Sequence, residues 1–257
     1  MHLPTPESPP DTPTQRRSDR RRLLRALNTS LAFVLVLVAV FSAQGHFDVS
    51  AWAVQPWSLD GWRGLLAAPL LHGSPAHLAT NAFSLLLLGT LAGVVYPRAT
   101  LRALPLVWLG SGLGAWLLGS AGSHHLGASG LTHGLMFLLL VLGLLRRDRP
   151  AIAAAMIAFM LYGGMLLTIL PREPGISWQA HLGGAVAGVI AAWLFRRLDP
   201  PAPRKRYSWE DENDGEPLRD ELERSGLEPA SPHDVPVLWK RPAETRGTVL
   251  RFPPRDQ

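Results

Sequence analysis

Residues 126–145 read LGASGLTHGLMFLLLVLGLL and contain no Asp, Glu, Lys or Arg. The part from 129 to 145 is almost wholly apolar and close to the length of about 20 residues that a helix needs to cross a bilayer core. Inside hydrocarbon every backbone polar group must be bonded within its own segment, so this run is predicted to be a transmembrane helix. The small polar element GASG at its start is then expected near one membrane face.

Five other apolar runs of similar length surround this one, and together they predict an all-α polytopic membrane protein with six transmembrane helices. The six predicted spans are 27–43, 76–95, 103–119, 129–145, 151–170 and 178–195. A signal peptide is the alternative interpretation of the first span, but cleavage after Ala43 would place Phe41 where a small residue is required. The stretch 44–71 is too polar to span and rich enough in tryptophan to lie at the interface.

The charge distribution divides the 257 residues into three predicted parts. The chain is 47% hydrophobic and only 18% charged, and most charged residues lie near its two ends. Residues 1–22 are polar, Pro-rich and basic, and 199–257 are polar with many prolines, so both are expected to be disordered tails. Residues 23–198 are expected to form the six-helix membrane domain. There is no Cys, which excludes disulfides and a cysteine nucleophile.

Arginine positions predict the orientation of the domain. The Arg-rich flanks alternate with loops that hold only Arg63 and Arg172. The flanks carry Arg16, Arg17, Arg20, Arg21, Arg22, Arg98, Arg102, Arg146, Arg147, Arg149, Arg196 and Arg197. The positive-inside rule therefore predicts both termini in the cytoplasm. The Arg-rich flanks, without an organelle-targeting pattern, favour a bacterial inner membrane. Because the net charge of +5 belongs to membrane flanks, we expect the lipid bilayer and no nucleic acid as a partner.

Polar side chains inside apolar spans are costly, and here they are expected to converge. The second span opens with LLHGSPAHLATN (70–81), which places His77 and Asn81 four residues apart on one helix face. The fourth span begins at Ser129, and the sixth opens with WQAHLGGAVAG (178–188), which holds His181. All three spans run in the same direction, so these four side chains are predicted at similar depth near the external face.

A Ser, two His and an Asn at one depth can support hydrolysis. His181 can accept the proton of the Ser129 hydroxyl near neutral pH. The Asn81 amide, the His77 ring and the Ser129 backbone N–H can donate to an oxyanion. The predicted spans contain no Asp or Glu, so the arrangement is expected to be a dyad.

Three ordered motifs make the sequence resemble the rhomboid family of intramembrane serine proteases. The first is Trp62-Arg63 followed by His72, His77 and Asn81. The second is the G-x-S-G element from Gly127 to Gly130. The third is Ala180-His181 followed by Gly184 and Gly188. Any one of these motifs is weak alone, whereas all three in order at the starts of the correct spans are a strong signal.

The resemblance implies a role for each of these positions. Ser129 would be the nucleophile and His181 the base, with His77, Asn81 and Gly127 in the oxyanion and substrate-binding region. The stretch 44–71 would be a partly embedded loop and 171–179 a cap over the site. Substrates would be single-span membrane proteins cleaved near the external end of their helix, and no cofactor is implied.

Two positions depart from the family pattern. His133 stands where many rhomboids have a Tyr, four residues after the nucleophile, which is similar to the rhombosortase branch. We expect His133 to support His181 from one turn deeper in the membrane. The segment 94–98 lacks the Glu that many members carry after the second span, which leaves the packing of that end open. His72 is expected to shape the loop before the second span.

Two other classes of function stay open from the sequence. A non-proteolytic rhomboid-like protein that binds transmembrane helices is one, although that class usually lacks the Ser or the His. A metal-binding membrane protein using His72, His77, His133 and His181 is the other. That interpretation leaves Asn81 and the GASG element unexplained, and no H-E-x-x-H motif is present.

Overall fold

The computed structural model describes residues 13–171 and 175–200, which contain eight α-helices and no β-strand. The longer helices are α1 (Pro13–Ala43), α3 (Pro75–Val95), α4 (Pro97–Leu118), α5 (Ser129–Arg146), α6 (Arg149–Tyr162) and α8 (Trp178–Phe195). The two short helices are α2 (Trp62–Ala67) and α7 (Met165–Thr168). The predicted tail 199–257 lies almost wholly outside the described residues, as do residues 1–12.

Five of the helices are long and apolar enough to cross a membrane: α1, α3, α4, α5 and α8. The predicted fifth span, 151–170, differs from a single continuous helix. The apolar helix α6 has 14 residues and ends at Tyr162, and Gly163 and Gly164 separate it from α7. Glycine has the poorest helix propensity after proline, which accounts for a break at two consecutive glycines.

Helix α1 begins earlier than predicted. Residues 13–22, expected to be disordered, form its first turns, and the side chain of Gln15 donates to Asp19 one turn later. Arg, Gln and Leu are good helix formers, so an Arg-rich segment continuous with an apolar helix extends it. Further along, α1 packs on α3 where Ser30 meets Gly89 and Ala26 meets Gly93.

Glycines bring α5 and α8 unusually close together. A methyl group on Gly184 would lie 2.0 Å from the carbonyl oxygen of Gly130, and one on Gly188 would lie 2.3 Å from that of Gly134. Gly114 of α4 is equally tight against Gly183 on another side of α8. Small residues at these contacts let helix backbones approach closely in lipid. This packing fixes the height of α8 against α5, and therefore that of His181 against Ser129.

The loop 44–71 lies against the ends of α4 and α5. It contains 3₁₀ turns at Gln44–His46, Ser50–Trp52 and Ala68–Leu70 besides α2. The backbone of Val54 pairs with that of His125 through two hydrogen bonds of 2.9 Å. The indole N–H of Trp57 donates to the Gly119 carbonyl, and that of Trp116 donates to the Ser58 carbonyl. These bonds hold the loop beside the N-terminus of α5.

The opposite end of the bundle is closed by aromatic and charged groups. Tyr96 is buried directly after α3, and the Arg146 guanidinium lies 5.1 Å from its ring centroid. Arg146 also pairs with Asp148 at 3.2 Å. The Asp199 carboxylate accepts from the first free N–H groups of α4, at Arg98 and at the next residue. A cation–π contact and a carboxylate cap thus secure this end.

Candidate active site

Ser129 is the first residue of α5, and its hydroxyl meets the ring of His181. The distance from Ser129 Oγ to His181 Nε2 is 2.8 Å. Ser129 is half-buried, whereas His181 is only 6% exposed. The N-terminal N–H groups of a helix lack intrahelical partners and carry partial positive charge, so negative charge that develops beside Ser129 is stabilised.

The hydrogen bonds of His181 determine which of its nitrogens carries the proton. Its Nδ1 lies 3.0 Å from the backbone carbonyl oxygen of Thr168, and a carbonyl can only accept. Nδ1 therefore carries the hydrogen. The neutral ring then presents a lone pair on Nε2 toward the Ser129 hydroxyl, which donates to it. This is the tautomer that a general base requires.

His133 lies directly against His181. The two rings are stacked, with centroids 3.9 Å apart and planes inclined by 13°. His133 Nδ1 is 2.6 Å from the backbone carbonyl oxygen of Ser129, and its Nε2 is 2.8 Å from the hydroxyl of Thr168. Both ring nitrogens of His133 are thus engaged, and the contact with the Ser129 hydroxyl belongs to His181.

His77, Asn81 and Gly127 lie close together just before the start of α5. Ser74 caps α3 by accepting from the His77 N–H at 3.1 Å, and this cap fixes the start of the helix. Gly127 has φ +114°, and a methyl group there would lie 2.6 Å from the His77 ring and 3.8 Å from Asn81 Nδ2. Asn81 is buried, yet its Nδ2 has no hydrogen-bond partner among the described residues. A buried amide donor without a partner is available to an incoming acceptor.

His72 has a supporting position. Its backbone N–H donates to the side chain of Gln44, whose amide donates back to the His72 carbonyl. Its ring is fully buried and meets the His77 ring edge to face, at 5.1 Å between centroids. Burial, followed by the proximity of His77, lowers the pKa of His72 to about 4, so the ring is neutral near pH 7. His72 therefore packs the loop 44–71 against the start of α3.

A cavity of about 1090 Å³ opens onto the two catalytic candidates. Its lining includes the polar residues Ser74, His77, Asn81, Ser129, His133, His181 and Gln179. Pro171, Gly175 and Ile176, from the predicted cap 171–179, also border it, and residues 172–174 lie outside the described part of the chain. The cavity can therefore hold both a peptide segment and water beside Ser129.

The structure adds two residues that the sequence did not single out. Thr168 contacts both His181 and His133, although it lies within the apolar run 151–170. His125 lies in the loop before α5 and joins three segments. Its backbone pairs with Val54, and its ring nitrogens lie 2.7 Å from Ser177 Oγ and 2.9 Å from Ser123 Oγ. Burial, and to a lesser extent His124, lowers the pKa of His125.

The metal-site alternative requires several ligands around one point. Within residues 13–171 and 175–200, no three His, Cys, Asp or Glu side chains lie close enough to hold an ion together. His72 and His77 meet each other on one side of the site, and His133 and His181 stack as a pair on the other.

The apolar helices and this polar site together define a multi-pass membrane protein. Residues 59–198 match the sequence profile of the Rhomboid domain. The chain therefore belongs to the rhomboid family. It is 37% identical over 205 residues to an uncharacterized protein of Mycobacterium tuberculosis, covering 76% of this chain and 85% of the relative.

Two further relatives extend the comparison. An uncharacterized protein of Mycobacterium leprae is 35% identical over 196 residues, which cover 72% of this chain and 76% of that protein. A rhomboid-like protein 11, chloroplastic, from Arabidopsis thaliana is 25% identical over 215 residues, covering 74% and 73%. Membership of the family suggests an intramembrane protease or a rhomboid-like protein.

Proposed function

We propose that this protein is an intramembrane serine endopeptidase that cleaves transmembrane proteins near the external membrane face with a Ser129–His181 dyad. The observation that carries the proposal is the 2.8 Å contact from Ser129 Oγ to His181 Nε2, with the Nδ1 hydrogen held by the Thr168 carbonyl. A serine with only a local structural role usually bonds backbone groups near it in the chain. Here the hydroxyl meets an imidazole lone pair instead.

The reaction follows from this geometry. Ser129 Oγ attacks the scissile carbonyl carbon while its proton passes to His181 Nε2. The resulting oxyanion accepts hydrogen bonds from the Asn81 amide, the His77 ring and the N–H of Ser129. The His181 imidazolium then gives its proton to the leaving amine, and the peptide remains as an ester on Ser129. Water from the cavity hydrolyses the ester, with His181 again as the base.

The Thr168 carbonyl supplies what a third catalytic side chain would otherwise provide. In a triad, a carboxylate holds the second nitrogen of the histidine and stabilises the imidazolium. A backbone carbonyl holds the same nitrogen without placing a full negative charge in the membrane, where an ionised group is expensive. This is consistent with the lack of Asp and Glu in the predicted spans.

The orientation and the membrane are part of the proposal. Arginines flank the ends of α5 and α8 that lie away from Ser129, at positions 146, 147, 196 and 197. By the positive-inside rule that end faces the cytoplasm of a bacterial inner membrane, and the site faces outward. We further propose that α6 and α7 together complete six crossings, with both termini cytoplasmic.

Labelling of the purified protein by a fluorophosphonate tests the proposal, together with cleavage of a single-span membrane substrate. The wild type should be labelled, and Ser129→Ala and His181→Ala should lose both labelling and cleavage. Ser42→Ala is a matched serine control, because that hydroxyl bonds the Val38 carbonyl one turn back. His46→Ala is the histidine control, because His46 is exposed and is not among the residues that line the cavity. A folded wild type that neither labels nor cleaves would favour the non-proteolytic, helix-binding alternative.

A further inference from the structure

Thr168 contacts the candidate base and the ring stacked on it at the same time. Its carbonyl oxygen is 3.0 Å from His181 Nδ1, and its hydroxyl oxygen is 2.8 Å from His133 Nε2. It is the last residue of α7, the four-residue helix that follows the break at Gly163 and Gly164. One residue thus uses its backbone for one histidine and its side chain for the other.

The direction of each hydrogen bond follows from the groups that can only accept. The Ser129 carbonyl faces His133 Nδ1 at 2.6 Å, so Nδ1 carries the hydrogen of the neutral ring. His133 Nε2 is then an acceptor, and the Thr168 hydroxyl donates to it. The same hydroxyl lies 3.0 Å from the Met165 carbonyl, but it has one proton and can serve only one of these acceptors at a time.

These hydrogen bonds connect Ser129, His133, Thr168 and His181 in a ring. His133 is held at both nitrogens, by the backbone of Ser129 and by the hydroxyl of Thr168. His181 is held by the carbonyl of Thr168, and its face rests on His133 at 3.9 Å. A tilt of the His133 ring would remove the surface against which His181 is aligned.

We propose that Thr168 is a positioning residue for hydrolysis, whose hydroxyl fixes the ring of His133 and thereby the orientation of His181. This inference rests on the proposed function. Thr168 is not among the residues that line the cavity, so it is not placed to contact a substrate there. Its hydroxyl acts through His133, and its carbonyl acts through His181.

A purely structural role would have different consequences. Threonine in an apolar helix often bonds a carbonyl one turn back. In that case the Thr168 hydroxyl would serve only the Met165 carbonyl, and valine would remove that one bond without affecting the dyad. Under the proposal, valine instead leaves His133 Nε2 buried without a donor, and the ring reorients to find one. A purely structural role predicts an unchanged reaction rate of the Ser129 hydroxyl. The positioning role predicts that Ser129 reacts more slowly.

The test compares Thr168→Val and Thr168→Ser with the wild type by the rate of fluorophosphonate labelling, which reports serine reactivity without substrate docking. Thr168→Val should label about 10-fold more slowly or worse, as expected for a buried acceptor left unpaired. Thr168→Ser keeps the hydroxyl and should restore most of the rate. In substrate assays the loss should fall on kcat with KM nearly unchanged.

Thr90→Val is the matched control. Thr90 is also a helical threonine in the apolar domain, and its hydroxyl is buried with no hydrogen-bond partner among the described residues. Its labelling rate should equal that of the wild type. Thermal unfolding of every variant checks that the comparison is made on folded protein.

A double-mutant cycle separates action through His133 from an independent effect. His133→Phe keeps a flat ring and removes both nitrogens, so Thr168→Val should add little to it. If the two effects multiply, or if Thr168→Val labels at the wild-type rate, the inference is wrong while the proposed dyad stands. If wild-type protein that unfolds cooperatively fails to label at all, the proposed function fails first and the inference falls with it.

Discussion

The rings of His133 and His181 lie face to face, with centroids 3.9 Å apart and an interplanar angle of 13°. His133 occupies the position where many rhomboids have a tyrosine, and both residue types offer a flat ring. A ring stacked on one face of His181 restricts the rotation of its imidazole while Nε2 faces the Ser129 hydroxyl. The stack therefore links ring orientation to the chemistry of the proposed base.

We expect His133→Tyr to retain a measurable part of the cleavage activity. Tyrosine preserves the stacked surface, although it loses the bond from Nδ1 to the Ser129 carbonyl. His133→Ala, which removes the surface, should be less active than His133→Tyr. Cleavage of one helical substrate by both variants, with Ser129→Ala as the inactive reference, measures the difference.

The same assay can overturn the assignment of the base. If folded His133→Tyr is as inactive as Ser129→Ala while His181→Ala still cleaves, His133 is the base. That outcome would conflict with the 2.8 Å contact between Ser129 Oγ and His181 Nε2.

Asn81→Ala should lower turnover without unfolding the protein. The Asn81 amide nitrogen is buried and has no partner in the described residues, so its removal costs little in the resting protein. In the transition state it would donate to the oxyanion, and loss of one such donor typically costs about 100- to 1,000-fold in kcat. Unchanged turnover in a folded Asn81→Ala protein would remove Asn81 from the mechanism.

Reporter fusions test the proposed orientation. A periplasm-active enzyme fused after Gly122, in the loop between α4 and α5, should be active. The same enzyme fused at Gln257 should be silent, because the Arg-rich flanks predict a cytoplasmic position for that end. Activity at Gln257 would contradict the six-span arrangement.

Truncation tests the predicted independence of the tail. A chain that ends near residue 203 keeps α1 to α8 and the Asp199 cap on α4. It should still cleave a membrane substrate at a rate close to that of the full chain. Loss of cleavage in a truncated protein that inserts normally would make the tail part of the working unit.

The sequence could predict the membrane helices because long charge-free runs have few alternatives in a chain of this composition. It could also predict that Ser129 and His181 lie at one depth, since both open helices that run in the same direction. The break in the fifth predicted span was harder to foresee. Glycines are common in transmembrane helices, and Gly163 and Gly164 carry the same local signal as the glycines that pack inside α8.

Thr168 illustrates what sequence patterns leave out. Its contact with His181 is made by a backbone carbonyl, which every residue possesses, so no residue type marks it. His125 was similarly hidden, because its role is to join Val54 and Ser177, which are far from each other in the chain. Such contacts depend on the positions of several loops at once, and only the folded structure supplies them.

The close contact between the backbones of α5 and α8 predicts that a larger residue at Gly184 destabilises the protein. A methyl group on Gly184 would lie 2.0 Å from the Gly130 carbonyl oxygen, one residue after Ser129. Gly184→Ala must therefore push the two helices apart. Overpacking of this kind typically costs about 1–3 kcal/mol in the free energy of unfolding. Because the displacement falls beside the dyad, it should also lengthen the contact between Ser129 and His181 and slow cleavage.

Gly45→Ala provides the matched control for this substitution. Gly45 is exposed in the loop 44–71, and a methyl group there meets nothing within 4 Å. We expect the unfolding temperature and cleavage rate of Gly45→Ala to stay near those of the wild type, while both fall in Gly184→Ala. Thermal unfolding in detergent and initial cleavage rates measure the two effects separately. A Gly184→Ala protein as stable and active as Gly45→Ala would show that the α5–α8 contact does not hold the dyad together.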